Sequence, residues 1–294
     1  MAPLNRTESA SAHALGILND AARRLARAGI GTARLDCELM MAHAAGLSRV
    51  AILSGPGDLP AAALERFDAM LVHRLKREPL AYILGAREFY SLTIEVSPAV
   101  LIPRPETEVL VAAALDFITQ RPNARVLDIG TGSGAISIAI AANAPGVSVV
   151  AADISQAALA VARRNFVRHH LEGRIAPRWA DIFTPCDGGG AIGEFDLIVS
   201  NPPYVEAAAL DSLEPELRDY EPVAALVAGA DALECYRKIA AEAGGHLRRG
   251  GAAIVEVGAG QAAAVCAIFR DAGLRVAGVI NDLAGIERVV TARS

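Results

Sequence analysis

The chain is short of three things, and each shortage argues against a class of function. It has four cysteines, Cys37, Cys186, Cys235 and Cys266, scattered with no C-x-x-C pair. A disulfide framework and a zinc site are therefore not expected, and the thiols read as reduced in a cytoplasmic protein. Basic charge is not in excess, since 28 Lys and Arg stand against 33 Asp and Glu for a net charge of −5. That argues against an extended nucleic-acid surface. No uncharged apolar run approaches a membrane span, and Met1 to Ala10 carries Arg6 and Glu8 where a secretory leader needs an apolar core.

What is present is a change of rhythm along the 294 residues. Up to Leu84 the apolar residues recur at spacings of three and four. Leu15, Leu18, Ala21, Ala22 and Leu25 make one stripe, and Leu35, Leu39, Met40 and Ala42 a second beyond Gly29 and Gly31. Leu64, Phe67, Met70, Leu71 and Leu75 make a third after Pro60. Residues 1–84 are expected to form a small helical bundle that binds substrate or a partner. Residues 85–104 are expected to be a hairpin and linker, with Leu92, Ile94 and Val96 alternating. The proline-rich connector Pro103 to Glu108 reads as a linker, and its Arg104 also suits a lip over a ligand. From residue 105, and clearly from Arg125, strands alternate with helices, the pattern of a parallel sheet covered on both faces.

The first of these strands, Val126 to Ile129, runs into Gly130-Thr131-Gly132-Ser133-Gly134 and a helix from Ala135. Such a turn needs glycine for positive φ and for close approach of backbone to a ligand. Gly130, Gly132 and Ala135 also satisfy the G-x-G-x-x-A fingerprint of dinucleotide enzymes, and Asp153, roughly 20 residues on, suits a ribose in either case. Asp181 and Ile182, after the third strand, suit an adenine amino group and ring face, although Asp181 could instead cap a helix.

The stretch on which the rest depends is Phe195 to Tyr204. Leu197 to Val199 reads as a buried strand, and Asn201-Pro202-Pro203-Tyr204 ends it on a stiff turn, because proline cannot donate to a ladder and restricts the residue before it. Open α/β sheets place ligands at this end of their strands. The Asn201 side-chain oxygen and the Pro202 carbonyl could accept both N–H groups of a planar amide or amine, and the Tyr204 ring could stack on its face.

Asn201-Pro202-Pro203-Tyr204 behind such a strand resembles the signature of methyltransferases that use S-adenosylmethionine to methylate planar nitrogens. With Asp128 ahead of the glycines, it favours those enzymes over the dinucleotide reading. A sulfonium cofactor has no pyrophosphate, so the glycine turn would serve by shape. The chain as a whole is similar to the release-factor glutamine methyltransferases, the PrmC/HemK family. The matching pieces are Arg77-Glu78-Pro79, Tyr82, Leu84-Gly85, Glu88-Phe89, the Pro103 to Glu108 connector, Asp128 to Gly134, Asp153, Asn201 to Tyr204, Glu221-Pro222, Glu256 and Gln261. Ala232, where the family usually has glycine, is the visible departure.

The resemblance implies an α/β fold with a seven-stranded Rossmann-like methyltransferase sheet and an antiparallel last strand. It implies S-adenosylmethionine as cofactor, held by Asp128, Gly130, Thr131, Gly132, Ser133, Gly134, Asp153, Asp181, Ile182 and Asn201. Asn201, Pro202, Pro203 and Tyr204 would hold the acceptor, with Asn201, Pro202 and Tyr204 catalytic and no metal involved. The implied acceptor is the glutamine of the Gly-Gly-Gln motif in class I peptide chain release factors. A ribosomal-protein glutamine, an adenine N6 in nucleic acid, and a non-catalytic binding role are the alternatives.

Overall fold

The computed structural model describes residues 4–229 and 231–294, with side chains described from Ala14 onward. The chain divides into two compact units, residues 1–85 with 215–220, and residues 86–214 with 221–294.

The first unit is helical: α1 (Leu4–Arg27), α2 (Ala33–Ala45), α3 (Arg49–Leu53), α4 (Ala61–Leu75) and α5 (Leu80–Leu84). Ala14, Leu18, Ala21 and Leu25 are buried along one face of α1, and Leu18, Ala21 and Leu25 share a core with Cys37, Met40 and Met41 of α2 and Phe67 and Leu71 of α4. The expected second stripe is partly displaced, because Leu35 is exposed while Asp36 and Glu38 turn inward. Ion pairing explains the displacement. Arg74 Nε donates to Asp36 at 2.7 Å, and Arg34 and Arg49 both donate to Glu38. A buried carboxylate needs such partners, since unpaired it would cost several kcal/mol, of order 3–5.

The short helix Pro215–Tyr220 belongs to this unit although it begins eleven residues after Tyr204 in the chain. Glu216 accepts from Arg74 at 2.9 Å and from Arg77 at 2.6 Å, and the Tyr220 hydroxyl donates to the Lys76 carbonyl.

The second unit opens with a hairpin, β1 (Ala86–Phe89) and β2 (Leu92–Glu95), whose turn residues Tyr90 and Ser91 both have positive φ. It continues with α6 (Thr107–Thr119), β3 (Arg125–Ile129), α7 (Ala135–Asn143), β4 (Ser148–Asp153), α8 (Gln156–Arg168), β5 (Ile175–Asp181), β6 (Thr184–Pro185) and β7 (Phe195–Ser200). With α9 assigned to Pro215–Tyr220, the remainder is α10 (Val223–Leu226), α11 (Glu234–His246), β8 (Leu247–Glu256), α12 (Ala262–Asp271), β9 (Arg275–Asn281) and β10 (Glu287–Arg293).

The sheet order is β6-β5-β4-β3-β7-β8-β10-β9. Strands β5, β4, β3, β7 and β8 are parallel neighbours, and β10 is antiparallel to both β8 and β9. Seven strands were expected; the eighth is the two-residue β6, which folds back antiparallel on β5. The central strands are apolar on both faces, as two-sided cover requires. Leu127, Ile129 and Ile198 join Tyr236, Ile239, Val265 and Phe269 of α11 and α12 in one core. Because side chains alternate along a strand, Asp128 faces the other way, where Ser137 of α7 meets it.

Candidate active site

The order of strands reverses between β3 and β7, with β4 and β5 on one side and β8 on the other. The crevice at that reversal, outside the carboxyl ends, is where such sheets bind ligands. Pairing of Ile129 with Ser200, of Ile129 with Ala152, and of Ser200 with Val255 keeps the strand ends level. Asp153, Gly130, Asn201 and Glu256 therefore stand in a row along four adjacent strand ends, with Asp181 two residues further along β5, which pairs with β4 at Trp179 and Asp153. A cavity of about 280 Å³ opens there. It is lined by Gly130, Gly132, Asp153, Asp181, Ile182, Asn201, Pro202 and Pro203 from the expected set.

Glycine is required at two of these points. Gly130 and Gly132 have φ of +70° and +56°, and a Cβ on either would project into open space, so the backbone itself lines a cradle. Asp153 Oδ2 accepts from Gly132 N at 2.8 Å and Oδ1 from Ser155 N at 2.8 Å. A carboxylate has about four acceptor positions, so it keeps capacity for a ligand's hydroxyls. Burial pushes its pKa up. Asp181 is the last residue of β5, Ile182 follows with φ of +53°, and no helix begins there. Helix capping is thus ruled out as the reason for an acid at 181.

Asp128, Thr131, Ser133 and Gly134 stand behind the cradle, outside the cavity lining. Asp128 Oδ2 accepts from Thr131 Oγ1 at 2.7 Å and Ser137 Oγ at 2.6 Å, while Oδ1 is buried with no partner. Burial pushes its pKa up to about 6 against those two hydrogen bonds. The Ser133 carbonyl accepts from Asn165 Nδ2, whose Oδ1 in turn accepts from Glu95 N. Gly134 packs so closely on α8 that a Cβ would lie 2.5 Å from Phe166 Cε1.

Asn201 Nδ2 donates to Thr107 Oγ1 at 3.1 Å, which leaves its Oδ1 as the free acceptor at the cavity. Tyr204 lies deeper than a stacking role alone requires. Its ring packs against the core beneath β8, its carbonyl accepts from Gln261 Nε2 at 3.0 Å, and burial pushes its hydroxyl up to about 12.

Several residues at the site had no role in the sequence reading. Ala99 to Leu101 ahead of the connector, Pro222, Ala224 and Ala225, and Cys235 and Lys238 of α11 complete the cavity wall. Arg104 pairs with the buried Glu221, which also accepts from Ile102 N, so the connector is tied to the loop that carries Pro222. Glu221-Pro222 was visible as a charged residue before a proline, but its partners are more than a hundred residues away.

Comparison with known proteins follows the same outline. Residues 16–85 match the model of the PrmC N-terminal domain, and residues 107–214 that of the methyltransferase small domain. A release factor glutamine methyltransferase of Cereibacter sphaeroides is 42% identical over 94% of this chain and 96% of its own. Another from Geobacter sulfurreducens is 42% identical over 92% of each chain. Among solved structures, the hMettl16 catalytic domain bound to a MAT2A 3'UTR hairpin shares the fold at 18% identity, with a TM-score of 0.57 over 72% of this chain and 80% of that one. On these matches, with the glycine cradle and Asn201-Pro202-Pro203-Tyr204 at the strand reversal, the chain belongs to the release factor glutamine methyltransferase family.

Proposed function

We propose that this protein methylates the side-chain amide nitrogen, N5, of the glutamine in the Gly-Gly-Gln motif of class I peptide chain release factors. S-Adenosylmethionine is the methyl donor and the cytoplasm the site of action. The carrying observation is the Asn201 amide at the strand reversal, held through Nδ2 by Thr107 and presenting Oδ1 to the cavity. Relatives 42% identical along almost the whole chain carry the name release factor glutamine methyltransferase, which supports a release factor over DNA as acceptor.

The residues fit the donor. The Gly130 and Gly132 cradle has space where any Cβ would stand, and the buried, unpartnered Oδ1 of Asp128 lies behind it. The cradle would hold the methionine moiety, Asp153 the ribose hydroxyls, and Asp181 with Ile182 the adenine. When bound, S-adenosylmethionine supplies a methyl group made electrophilic by its sulfonium.

The chain's own contribution is orientation. An amide nitrogen is a poor nucleophile because its lone pair is delocalised into the carbonyl. Asn201 Oδ1 and the Pro202 carbonyl accept its two N–H groups and so fix the direction of that lone pair. Pro202 and Pro203 stiffen the turn, and Tyr204 bounds it. Alignment of two reactants in this way can be worth roughly 7–11 kcal/mol. The spare proton on the methylated nitrogen is acidic enough to pass to water.

The test is incubation with labelled S-adenosylmethionine and three acceptors: a class I release factor, ribosomal proteins and DNA. Label on the release factor, abolished when the Gly-Gly-Gln glutamine is replaced, is the expected result. Label on a ribosomal protein or DNA instead would overturn the acceptor assignment.

A further inference from the structure

Glu256 is the last residue of β8, and pairing of Ser200 with Val255 brings it level with Asn201 at the end of the neighbouring strand. It is 1% exposed, and its Oε2 has no hydrogen-bond partner. Thr107 at the start of α6, 4% exposed, accepts from Asn201 Nδ2 at 3.1 Å, and its hydroxyl lies close enough to the Glu256 carboxylate to lower its pKa. The Tyr204 hydroxyl acts on the same carboxylate in the same direction. One buried acid thus stands near both ends of the Asn201 to Tyr204 turn.

We propose that Glu256 is a positioning residue that, through Thr107, sets which way round the Asn201 amide is presented to the acceptor. The inference rests on the glutamine-amide reading of the site. Ionised Glu256 can only accept, so the Thr107 hydroxyl donates to it. The Thr107 oxygen then accepts from Asn201, and Asn201 Oδ1 is left facing the cavity. A protonated Glu256 can instead donate to Thr107. The Thr107 proton is then released toward Asn201, which favours Oδ1 turned inward and an N–H turned toward the substrate's own N–H.

The groups around the carboxyl place this reversal in an accessible pH range. Burial raises its pKa to about 7, and Glu106 before α6 pushes the same way. Thr107, Arg288 of β10 and the Tyr204 hydroxyl draw it down. Turnover is therefore expected to fall as pH drops through about 7.

Two measurements test this in the full-length protein. In the free protein, the Asn201 side-chain amide nitrogen resonance is followed as the Glu256 carboxyl carbon is titrated. Wild type should show the amide shifting with the carboxyl, Thr107→Ser should preserve the coupling, and Thr107→Val should abolish it and raise the Glu256 pKa. In the methylation assay, Thr107→Val and Glu256→Gln should lower kcat about tenfold or more at unchanged cofactor affinity, with Thr107→Ser near wild type. Glu256→Gln should also lose the acid limb of the kcat profile. An Asn201 amide indifferent to Glu256 titration would overturn the inference, as would Thr107→Val turning over within about twofold of wild type with the acid limb intact. If wild type methylates no release factor, the proposed function fails, while the resonance coupling still decides the relay.

Discussion

Asp128 and Ser137 are joined by a 2.6 Å hydrogen bond across a site closed to solvent, on the face of the sheet that looks away from α11 and α12. The bond holds the start of α7 to the end of β3 and fixes the glycine turn between them. It also leaves a carboxylate in a place that disfavours its charge. Burial raises the Asp128 pKa from 3.8 to about 6, so between those values the folded protein binds more protons than the unfolded chain. Stability from this group is full below the unfolded pKa and is lost as pH rises through about 6.

Asp128→Asn should consequently stabilise the ligand-free protein at pH 7 to 8, by roughly 2 kcal/mol, with the gain shrinking toward pH 4. The same variant should bind S-adenosylmethionine more weakly. Urea denaturation across pH, paired with calorimetric titration of the cofactor, measures both. A variant less stable than wild type at pH 8 would show that the ionised carboxylate contributes to the fold itself.

Gly134→Ala should be strongly destabilising for two independent reasons. The position has φ of +82°, and the new methyl would lie 2.5 Å from Phe166 Cε1. Backbone strain and overpacking together suggest a loss of about 3 kcal/mol. Phe166→Leu in the same chain should recover part of it by removing the atom that clashes. Chemical denaturation of the single and double variants distinguishes the clash from the strain.

Glu216 gathers Arg74 and Arg77 within the helical unit. Burial alone would raise its carboxyl, but hydrogen bonds from Arg77 and Arg74 hold it below the ordinary 4.5. Its contribution is then present above pH 4.5 and is lost as pH falls through the depressed folded value. Glu216→Gln should lower hydrogen-exchange protection of residues 61–75 by about 1–2 kcal/mol at pH 7, with the difference closing in acid. Equal protection at pH 7 would show that Arg74 is satisfied by Asp36 alone.

How much of this could be read from the sequence depends on the distance over which each cause acts. The glycine turn, the strand into Asn201 and the run of β3 to β5 were legible, because glycine φ, proline geometry and apolar runs act within a few residues. The inward turn of Asp36 was not, since its reason is Arg74, 38 residues away. Helix propensity likewise could not show that Pro215–Tyr220 belongs with residues 1–85, because that depends on Glu216 meeting arginines about 140 residues earlier. Glu256 and Thr107 stood in matching stretches of sequence, yet their relation to Asn201 arises only from the register of β7 and β8 and the start of α6. Tyr204 was placed correctly on the turn after β7, but nothing local showed that its hydroxyl turns inward toward Glu256.

The most direct test of the account is Asn201→Ala, assayed with labelled S-adenosylmethionine and a class I release factor, with folding and cofactor affinity measured on the same preparation. If Asn201 Oδ1 orients the acceptor amide, the variant should fold, still bind cofactor, and lose roughly a hundredfold or more in kcat at saturating cofactor. Near-normal turnover in a folded, cofactor-binding Asn201→Ala protein would contradict it.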